Sequence, residues 1–528
     1  MRMNLQGRIA LLAMGLAACL ATSACIWIFR RVAVEEVRRG TDSVTVVSTV
    51  KAHLMSGHSV LYPTGVTLAR DTLWGAGTRY DLALHEVGSV TRLPLDSVLG
   101  MESYRTAVNG AASAIVSTVT TLPLVAAAAV AIACALDPKC FGSCPTYYSD
   151  SAGTGVLEAE GFSYSIAPLF EARDVDRLRT QPDRDGTLRL EVRDEAFETH
   201  YTNQMTLLEA RRGPDEYVVP DVRGGLLSVR GTRAPVAARD WAGRDLRRAL
   251  TDADGDAFRT NPGTLAAAGP GALEDAVELT FIAPADADSA ALVFRMRNSL
   301  LNTVLLYDVM LGDAGARSLD WITNDLDRIG PAVQLGQWYA AHMGMQVAVW
   351  RDGAWQDVDR IRDTGPVAWK DVAMLVPASP GDTLRVRLSF VADNWRIDRV
   401  AAAFTWRRPV ARPYPLARIV DALGATDTAA LSSLTAADQR YLETVAGQRF
   451  TAEWHPGPED ASSDSLRSFF LASQGYYVEW IRRGWLAAPR SARTFVPNDH
   501  ALADALARYR VVKDTLERQF AATRVPVR

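Results

Sequence analysis

Apolar and polar residues alternate in six short stretches between residues 273 and 406, and this two-residue period is typical of β-strands with one buried face. The stretches are LEDAVELTFIAP (273–284), ADSAALVFRMRN (287–298), MQVAVWRDGAWQDV (345–358), KDVAMLVP (370–377), DTLRVRLSF (382–390) and RIDRVAAAFTW (396–406). Turn-forming residues such as Asp352-Gly353 separate several of them. The pattern predicts a jelly-roll-like β-sandwich over 273–406, interrupted by a helical insertion at roughly 319–342.

The flanking regions show the same alternation less regularly. Residues 42–106 are predicted to form a small β-domain and 137–270 a β-rich domain, in which FSYSIAP (162–168) is an expected strand. LPLDSVLGMESY (93–104) is expected to form a short helix. Residues 407–528 are predicted to be mixed α/β, with a Pro-rich linker or covering strap at 407–415 and an amphipathic C-terminal helix from His500 to Thr523. The predicted fold class is therefore mainly β and multidomain.

The N-terminal segment 1–41 contains an uncharged, mostly apolar stretch from Ile9 to Phe29, with Arg8 before it and Arg30 after it. Such a stretch is long enough to cross a hydrocarbon core of about 30 Å as a helix. One interpretation is an uncleaved signal anchor. A second is a lipoprotein signal, in which Cys19 of LAAC would be lipidated, and a third is cleavage elsewhere. All three direct the chain to the membrane or across it.

A second uncharged run covers residues 107–136. It is rich in Ala, Ser and Thr and has Pro123 near its middle, which membrane-spanning helices tolerate. It is interpreted as a membrane-spanning helix, as a helix associated with the membrane, or as a helix of a soluble core. In the first two cases the expected partner is membrane lipid.

Composition narrows the possible partners. The 528 residues carry a formal net charge of −4, so there is no overall basic footprint for nucleic acid, and no nucleic-acid partner is expected. Hydrophobic residues make up 48% and charged residues 22% of the chain, which argues against wholesale disorder. The N-terminal segment indicates a bacterial-type cell envelope protein, with most of the chain outside the cytoplasm.

Cysteines and clustered aspartates offer two weak chemical signals. Cys140 and Cys144 are separated by three residues, and outside the cytoplasm they are candidates for a disulfide. The alternatives are free thiols and a catalytic or metal-binding role. Asp252, Asp254 and Asp256 alternate in DADGDAF, which suggests a calcium loop. The glycine of this loop stands at the fourth position instead of the sixth, so a solvated loop is the competing interpretation. No other cofactor is expected.

Catalytic motifs are not recognisable in the sequence. The seven histidines are scattered, no pair of them stands four residues apart, and there is no GxSxG or P-loop pattern. Tryptophans are the better clue. Trp350 and Trp355 flank the Asp352-Gly353 turn, and Trp395 lies in DNWRID. These three are candidates for carbohydrate contact, although tryptophans at strand ends also pack sandwich cores.

Five motifs resemble landmarks of an uncharacterised family of bacterial envelope proteins over roughly residues 140–490. They are SCPTYY (143–148), EAFETHYTN (195–203), GDTLRVRL (381–388), NWRIDRV (394–400) and SQGYYVEWIRRGW (473–485). The resemblance implies no activity, ligand or catalytic residue. The 273–406 block separately resembles a galactose-binding-like jelly roll, a likeness of fold that does not establish sugar binding.

Three functions follow as hypotheses. The first is a membrane-anchored envelope scaffold or binding protein without catalytic activity, which could serve as an accessory subunit of a membrane complex with other envelope proteins. The second is a protein that binds carbohydrate or the cell wall, including cell-surface glycans. The third is a hydrolase of envelope polymers, which requires two carboxylates, or a nucleophile and a base, to converge in a pocket.

Overall fold

The computed structural model describes residues 43–81, 85–104, 145–149, 155–326, 328–438, 440–458, 465–487 and 495–522, together with residue 527. The predicted anchor in 1–41, the apolar run 107–136 and the cysteines Cys19, Cys140 and Cys144 lie outside these residues. Within the described ranges, no helix combines the length and the apolar character needed to cross a membrane.

Strands dominate the described chain, which agrees with the predicted mainly β class. The N-terminal part contains β1 (Ser43–Val46), β2 (Thr49–Leu54), β3 (Ser59–Tyr62), β4 (Val66–Ala69), β5 (Thr72–Tyr80), β6 (Glu86–Pro94) and β7 (Val98–Tyr104). The next part contains β8 (Thr146–Ser149), β9 (Val156–Glu160), β10 (Ala172–Leu178), β11 (Leu188–Arg193), β12 (Glu198–Arg212), β13 (Glu216–Pro220) and β14 (Leu226–Arg230).

The sandwich begins with β15 (Ala237–Asp240), which lies before the predicted block 273–406. The strands predicted within that block are present. They are β16 (Glu274–Ile282), β17 (Ser289–Asn298), β18 (Met345–Arg351), β19 (Ala354–Ile361), β20 (Lys370–Pro377), β21 (Thr383–Val391) and β22 (Trp395–Ala403). The remaining strands are β23 (Thr405–Arg407), β24 (Ala411–Pro415), β25 (Arg418–Asp421), β26 (Leu442–Val445), β27 (Arg449–Trp454), β28 (Leu466–Glu479) and β29 (Ile481–Arg482).

Helices are few and mostly short. The α-helices are Arg247–Thr251, Pro262–Ala267, Leu301–Val304, Arg317–Asp320, Ile329–Met343, Thr428–Leu434, Arg483–Ala487 and Asp499–Ala522. Single 3₁₀ turns occupy Leu95–Ser97 and Pro168–Phe170, and π-helical segments occupy Leu305–Gly312 and Trp321–Asp325. The helical insertion thus begins at Leu301, earlier than expected, and the C-terminal helix matches its prediction within one residue at each end.

The described residues form six sheets, in which the named strands pair antiparallel throughout. The two sheets of the sandwich run in the order β15-β16-β21-β18-β19 and β20-β17-β22. Their inward side chains make one core, with Phe281, Phe294 and Trp395 among its largest members. This five-plus-three arrangement agrees with the prediction of a β-sandwich, and it also includes β15, which precedes the predicted block.

The other sheets join segments that are distant in sequence. An eight-stranded sheet contains β1 to β7 and also β29, which pairs with β7. A five-stranded sheet places β28 between β10 and β12, and β24 lies on the far side of β12. A second five-stranded sheet has the order β25-β27-β11-β8-β9, and a three-stranded sheet has the order β13-β14-β23. The helical insertion and the C-terminal helix share a large core with the N-terminal sheet, for example through Val50, Leu305 and Leu506.

Two local expectations were wrong. The segment 93–104 forms strand β7 after a single 3₁₀ turn, instead of a helix, because β7 pairs with β2 and β29. The segment 162–168 is not a strand, since Phe162 has a φ of 35° and starts a turn closed by a hydrogen bond from the Ser165 amide to the Phe162 carbonyl.

The segment 407–415, expected as a linker or strap, ends in edge strand β24, where prolines are tolerated.

Candidate functional site

The outer surface of the sandwich's five-stranded sheet carries an unusual set of side chains. Alternate residues of β16 and β21 enter the core, so the residues between them face outward. Together with the turn after β15 and the β18–β19 hairpin, they form what we call the tryptophan–arginine face. Its members are Trp241, Glu278, Trp350, Trp355, Arg385 and Arg387.

The hairpin positions two of the tryptophans. Trp350 and Trp355 are directly opposite each other across β18 and β19, with ring centroids 5.4 Å apart and planes inclined by 72°. The connecting residues Asp352 and Gly353 both have positive φ, at 53° and 80°, as a two-residue type I′ turn requires. The sequence therefore fixes the register that pairs the two rings.

The arginines of β21 lie over these rings. The guanidinium of Arg385 is 4.9 Å from the Trp350 ring centroid and 5.4 Å from that of Trp355. The guanidinium of Arg387 is 4.2 Å from the Trp355 centroid and 5.9 Å from that of Trp241. These distances are within the range of cation–π attraction, so the arginines connect the three tryptophans into one continuous surface.

One carboxylate balances part of the positive charge. Glu278 is directly opposite Arg387 on the neighbouring strand, and Arg387 donates to its Oε1 over 2.6 and 3.0 Å. The Arg385 guanidinium is 4.0 Å from Oε2 of the same carboxylate, at the limit of an ion pair. Arg385 thus keeps donors available for a ligand.

The face is open to solvent. Trp241 is 69% and Trp350 is 37% exposed, while Trp355 is partly exposed. An exposed tryptophan ring beside guanidinium donors can stack on the apolar face of a sugar ring while the donors bind its hydroxyl groups, and rings inclined to each other can do so on different sugar residues. Such a surface is suited to binding and contains no nucleophile–base pair.

Trp395, the third predicted contact residue, does not join this surface. Its side chain is fully buried in the sandwich core, and its strand β22 belongs to the opposite sheet. Conversely, Trp241, Arg385 and Arg387 were missed by the sequence reasoning. The sequence TLRVRLSF (383–390) shows two arginines at alternate positions, but it does not show what lies beside them. The pairing of β21 with β18 places these arginines next to the hairpin tryptophans.

The three aspartates of the predicted calcium loop are exposed. Asp254 accepts a hydrogen bond from the amide of Asp256, and the amide of Gly255 donates to Asp398. Across the described ranges, no group of three or more His, Cys, Asp or Glu side chains could hold a metal ion. The loop thus has the geometry of a hydrogen-bonded surface turn, and the geometry gives no support to calcium.

A buried ionisable cluster lies where β12 meets β28. Glu198 is directly opposite Glu479, and His200 Nε2 is 2.6 Å from Glu198 Oε1. His200 Nδ1 is 3.3 Å from Asp194 Oδ2. Burial lowers the pKa of His200 to about 3 and raises the pKa of Asp194 well above its ordinary value, with the charge of Glu198 contributing.

Glu479 completes this cluster. Its pKa is raised to about 8, mainly by burial, although the nearby Arg482 opposes the shift. The four side chains are at most 3% exposed. Ionisable groups enclosed in this way affect folding stability, and they offer no open cleft of the kind a polymer hydrolase needs. Glu198 and His200 stand in EAFETHYTN, but Glu479 is too far along the chain for spacing to have revealed the cluster.

Comparisons with known proteins give little further information. No protein-family model matches the chain, and no curated protein matches it. Among solved structures, a GH31 alpha-xylosidase from Xanthomonas citri aligns over 83% of this chain and 38% of its own, with 10% identity and a TM-score of 0.16. A cycloalternan-forming enzyme from Listeria monocytogenes aligns over 69% of this chain and 29% of its own, with 12% identity and a TM-score of 0.16. The chain thus spans well under half of either structure, and TM-scores this low do not indicate a shared fold.

Proposed function

We propose that this chain is a non-enzymatic carbohydrate-binding protein of the bacterial cell envelope, and that the tryptophan–arginine face binds the glycan. The observation that carries the proposal is the assembly of Trp241, Trp350 and Trp355 with two arginines on one solvent-facing sheet. Location at the envelope is supported by the apolar segment from Ile9 to Phe29 and by the resemblance to envelope proteins.

The arrangement favours a glycan over a buried small molecule. The face is a surface on a sheet, and its contact groups extend over three strands and a turn, from Trp241 through Arg387 to Trp350. A chain of sugar residues can contact such an extended surface at several points. Individual contacts of moderate strength then add up along one polymer.

The test is binding of the purified full-length chain to insoluble cell-wall material and to a panel of soluble polysaccharides. We expect the W350A/W355A double variant to weaken binding at least about tenfold, because large aromatic contacts dominate binding surfaces of this kind. Trp74 provides a matched control. It is also an exposed tryptophan beside an arginine, 5.5 Å from the Arg92 guanidinium, but it lies in the N-terminal sheet.

Wild-type-like binding by W74A together with loss of binding by W350A/W355A would support the proposal. Failure of the wild-type protein to bind any glycan, or equal binding by the double variant, would overturn it.

A second candidate is a scaffold that binds another envelope protein. It is supported by exposed apolar side chains on the β5–β6 ribbon, where Trp74 is 47% and Val87 is 54% exposed. A protein partner at the ribbon predicts that W74A abolishes co-purification of that partner from envelope extracts, whereas W350A/W355A leaves it intact. The reverse pattern would favour the glycan proposal.

A further inference from the structure

Two arginines are directly opposite each other in the smaller sheet of the sandwich. Arg297 on β17 pairs with Arg396 on β22. Cross-strand partners have Cβ atoms about 5 Å apart and point to the same side of the sheet. Since Phe294 and Met296 of β17 enter the core, Arg297 lies on the outer side of this sheet. Like charges in this relationship are destabilising unless anions compensate them.

The two arginines are compensated unequally. Arg396 donates to Asp393 Oδ1 at 2.8 Å, to Glu517 Oε1 at 2.6 Å and to the Tyr509 hydroxyl at 3.1 Å. Arg297 donates to the carbonyl oxygen of Pro366. Within the part of the chain that the structure describes, Arg297 has no ion pair with a carboxylate.

The acidic groups around the two arginines form their hydrogen bonds and ion pairs with other residues. Glu517 is shared between Arg396 and Arg259, and Asp393 between Arg396 and Lys513. The carboxylate of Glu160 accepts hydrogen bonds from the backbone amides of Val367 and Ala368, at 2.7 and 2.9 Å. These contacts leave the positive charge of Arg297 without a direct counter-charge.

The environment of Arg297 is only partly open to water. Its side chain is half-buried, and its guanidinium lies 5.0 Å from the ring centroid of Trp369, which is itself partly exposed. Burial lowers the pKa of this guanidinium most, and the charge of Arg396 lowers it further, while the carboxylates of Glu517 and Glu160 act in the opposite direction without forming an ion pair with it. A half-buried cation beside a second cation is costly, and a bound anion relieves that cost.

We propose that Arg297 and Trp369, with Arg396 behind them, form a binding site for a small oxyanion group, a carboxylate or a phosphoryl group of a soluble ligand. A guanidinium presents a planar fork of donors that fits both groups. Trp369 leaves one side of the site apolar, so it also accommodates the carbon skeleton that carries the anion. The site is on the sheet opposite the tryptophan–arginine face, so it does not depend on the glycan proposal.

The experiment uses inorganic phosphate and sodium glucuronate as probes, each titrated at ionic strength held constant with sodium chloride. Binding is measured by calorimetry and by the rise in melting temperature of the whole chain. We expect at least one probe to stabilise the wild-type protein, and R297Q to weaken that binding about tenfold or more, because it removes charge-assisted hydrogen bonds. A response to phosphate alone identifies a phosphoryl ligand, and a response to glucuronate alone identifies a carboxylate.

Arg399→Gln is the matched control, since Arg399 is on the same sheet and its guanidinium donates to the neutral Thr232 hydroxyl. It removes the same formal charge and should leave both titrations unchanged. We expect R297Q to be at least as stable as the wild type in chloride alone, because removal of a costly half-buried charge offsets the loss of the hydrogen bond to Pro366 and of the contact with Trp369. The proposal is overturned if neither probe stabilises the wild type, or if R297Q responds to the probes as the wild type does.

Discussion

Trp350 and Trp355 face each other across a hairpin whose two turn residues, Asp352 and Gly353, both have positive φ. The turn geometry, the strand register and the edge-to-face ring contact therefore form one unit. We expect a change that shifts the register of this turn to alter the contact of Trp355 with Arg385 as well, because Arg385 lies over both rings. Local turn chemistry thus controls the proposed glycan surface.

Replacing Gly353 with Ala should lower the free energy of unfolding by about 1–2 kcal/mol, since a side chain is disfavoured at a φ of 80°. A Cβ atom at this position would meet no other atom within 4 Å, so the cost is one of backbone conformation alone. Denaturant unfolding measures the change. Gly330, at the start of the helix Ile329–Met343, is the control, because a Cβ there is also unobstructed and alanine favours a helix. Equal effects of G353A and G330A would contradict the turn assignment.

A buried ion network attaches the C-terminal helix to the sandwich, and it should be sensitive to loss of Arg396. R396M leaves the fully buried Asp393 with only Lys513, 3.5 Å away, among its ion-pair partners in the described residues. Breaking a buried pair in this way typically costs about 3–5 kcal/mol, and we expect a loss of that order in denaturant unfolding.

Arg259 offers the contrast within the same network. It pairs with Glu517 at 2.7 Å, but its side chain is mostly exposed. R259Q should therefore cost less than about 1 kcal/mol. Equal decreases in the free energy of unfolding for R396M and R259Q would contradict the prediction that the buried pair holds the C-terminal helix on the sandwich.

The sandwich strands could be predicted because alternation and turn residues are local properties of the chain. The errors arose where distant partners decide the structure. The 93–104 segment has helix-compatible residues, yet β7 is fixed by β29, and Gly100 packs so closely that a Cβ would lie 2.9 Å from Cβ of Trp480. No local pattern contains that contact.

The same reasoning explains what was missed in the site. Trp350 and Trp355 were found together because one hairpin holds both. Arg385 and Arg387 reach them through pairing between β18 and β21, which are separated by β19 and β20 in sequence. Trp395 was a candidate because DNWRID places it beside Asp, Asn and Arg, and its burial in the core distinguishes it from the exposed tryptophans.

Glu443 should make stability depend on pH. Burial raises its pKa from 4.5 to about 7, opposed by Lys51 and reinforced by Glu102. The folded protein therefore retains a proton that the unfolded chain releases between pH 4.5 and 7. The contribution of this group to the free energy of unfolding is fully present below pH 4.5. It decreases as the pH rises from 4.5 through 7, by roughly 3 kcal/mol in total.

E443Q keeps the shape of the side chain but cannot ionise, so it should remove this part of the pH dependence. Other groups, such as His200 and Glu479, titrate in both proteins and cancel when the two stability curves are subtracted. The difference, variant minus wild type, should rise between pH 4.5 and 7 and then level off. Urea unfolding across pH 4 to 8 measures it, with the exposed Glu274→Gln as a charge control. Parallel curves for E443Q and the wild type would contradict the raised pKa. They would mean that Glu443 is ionised in the folded protein throughout this range, because the attraction of Lys51 for the carboxylate outweighs the effect of burial.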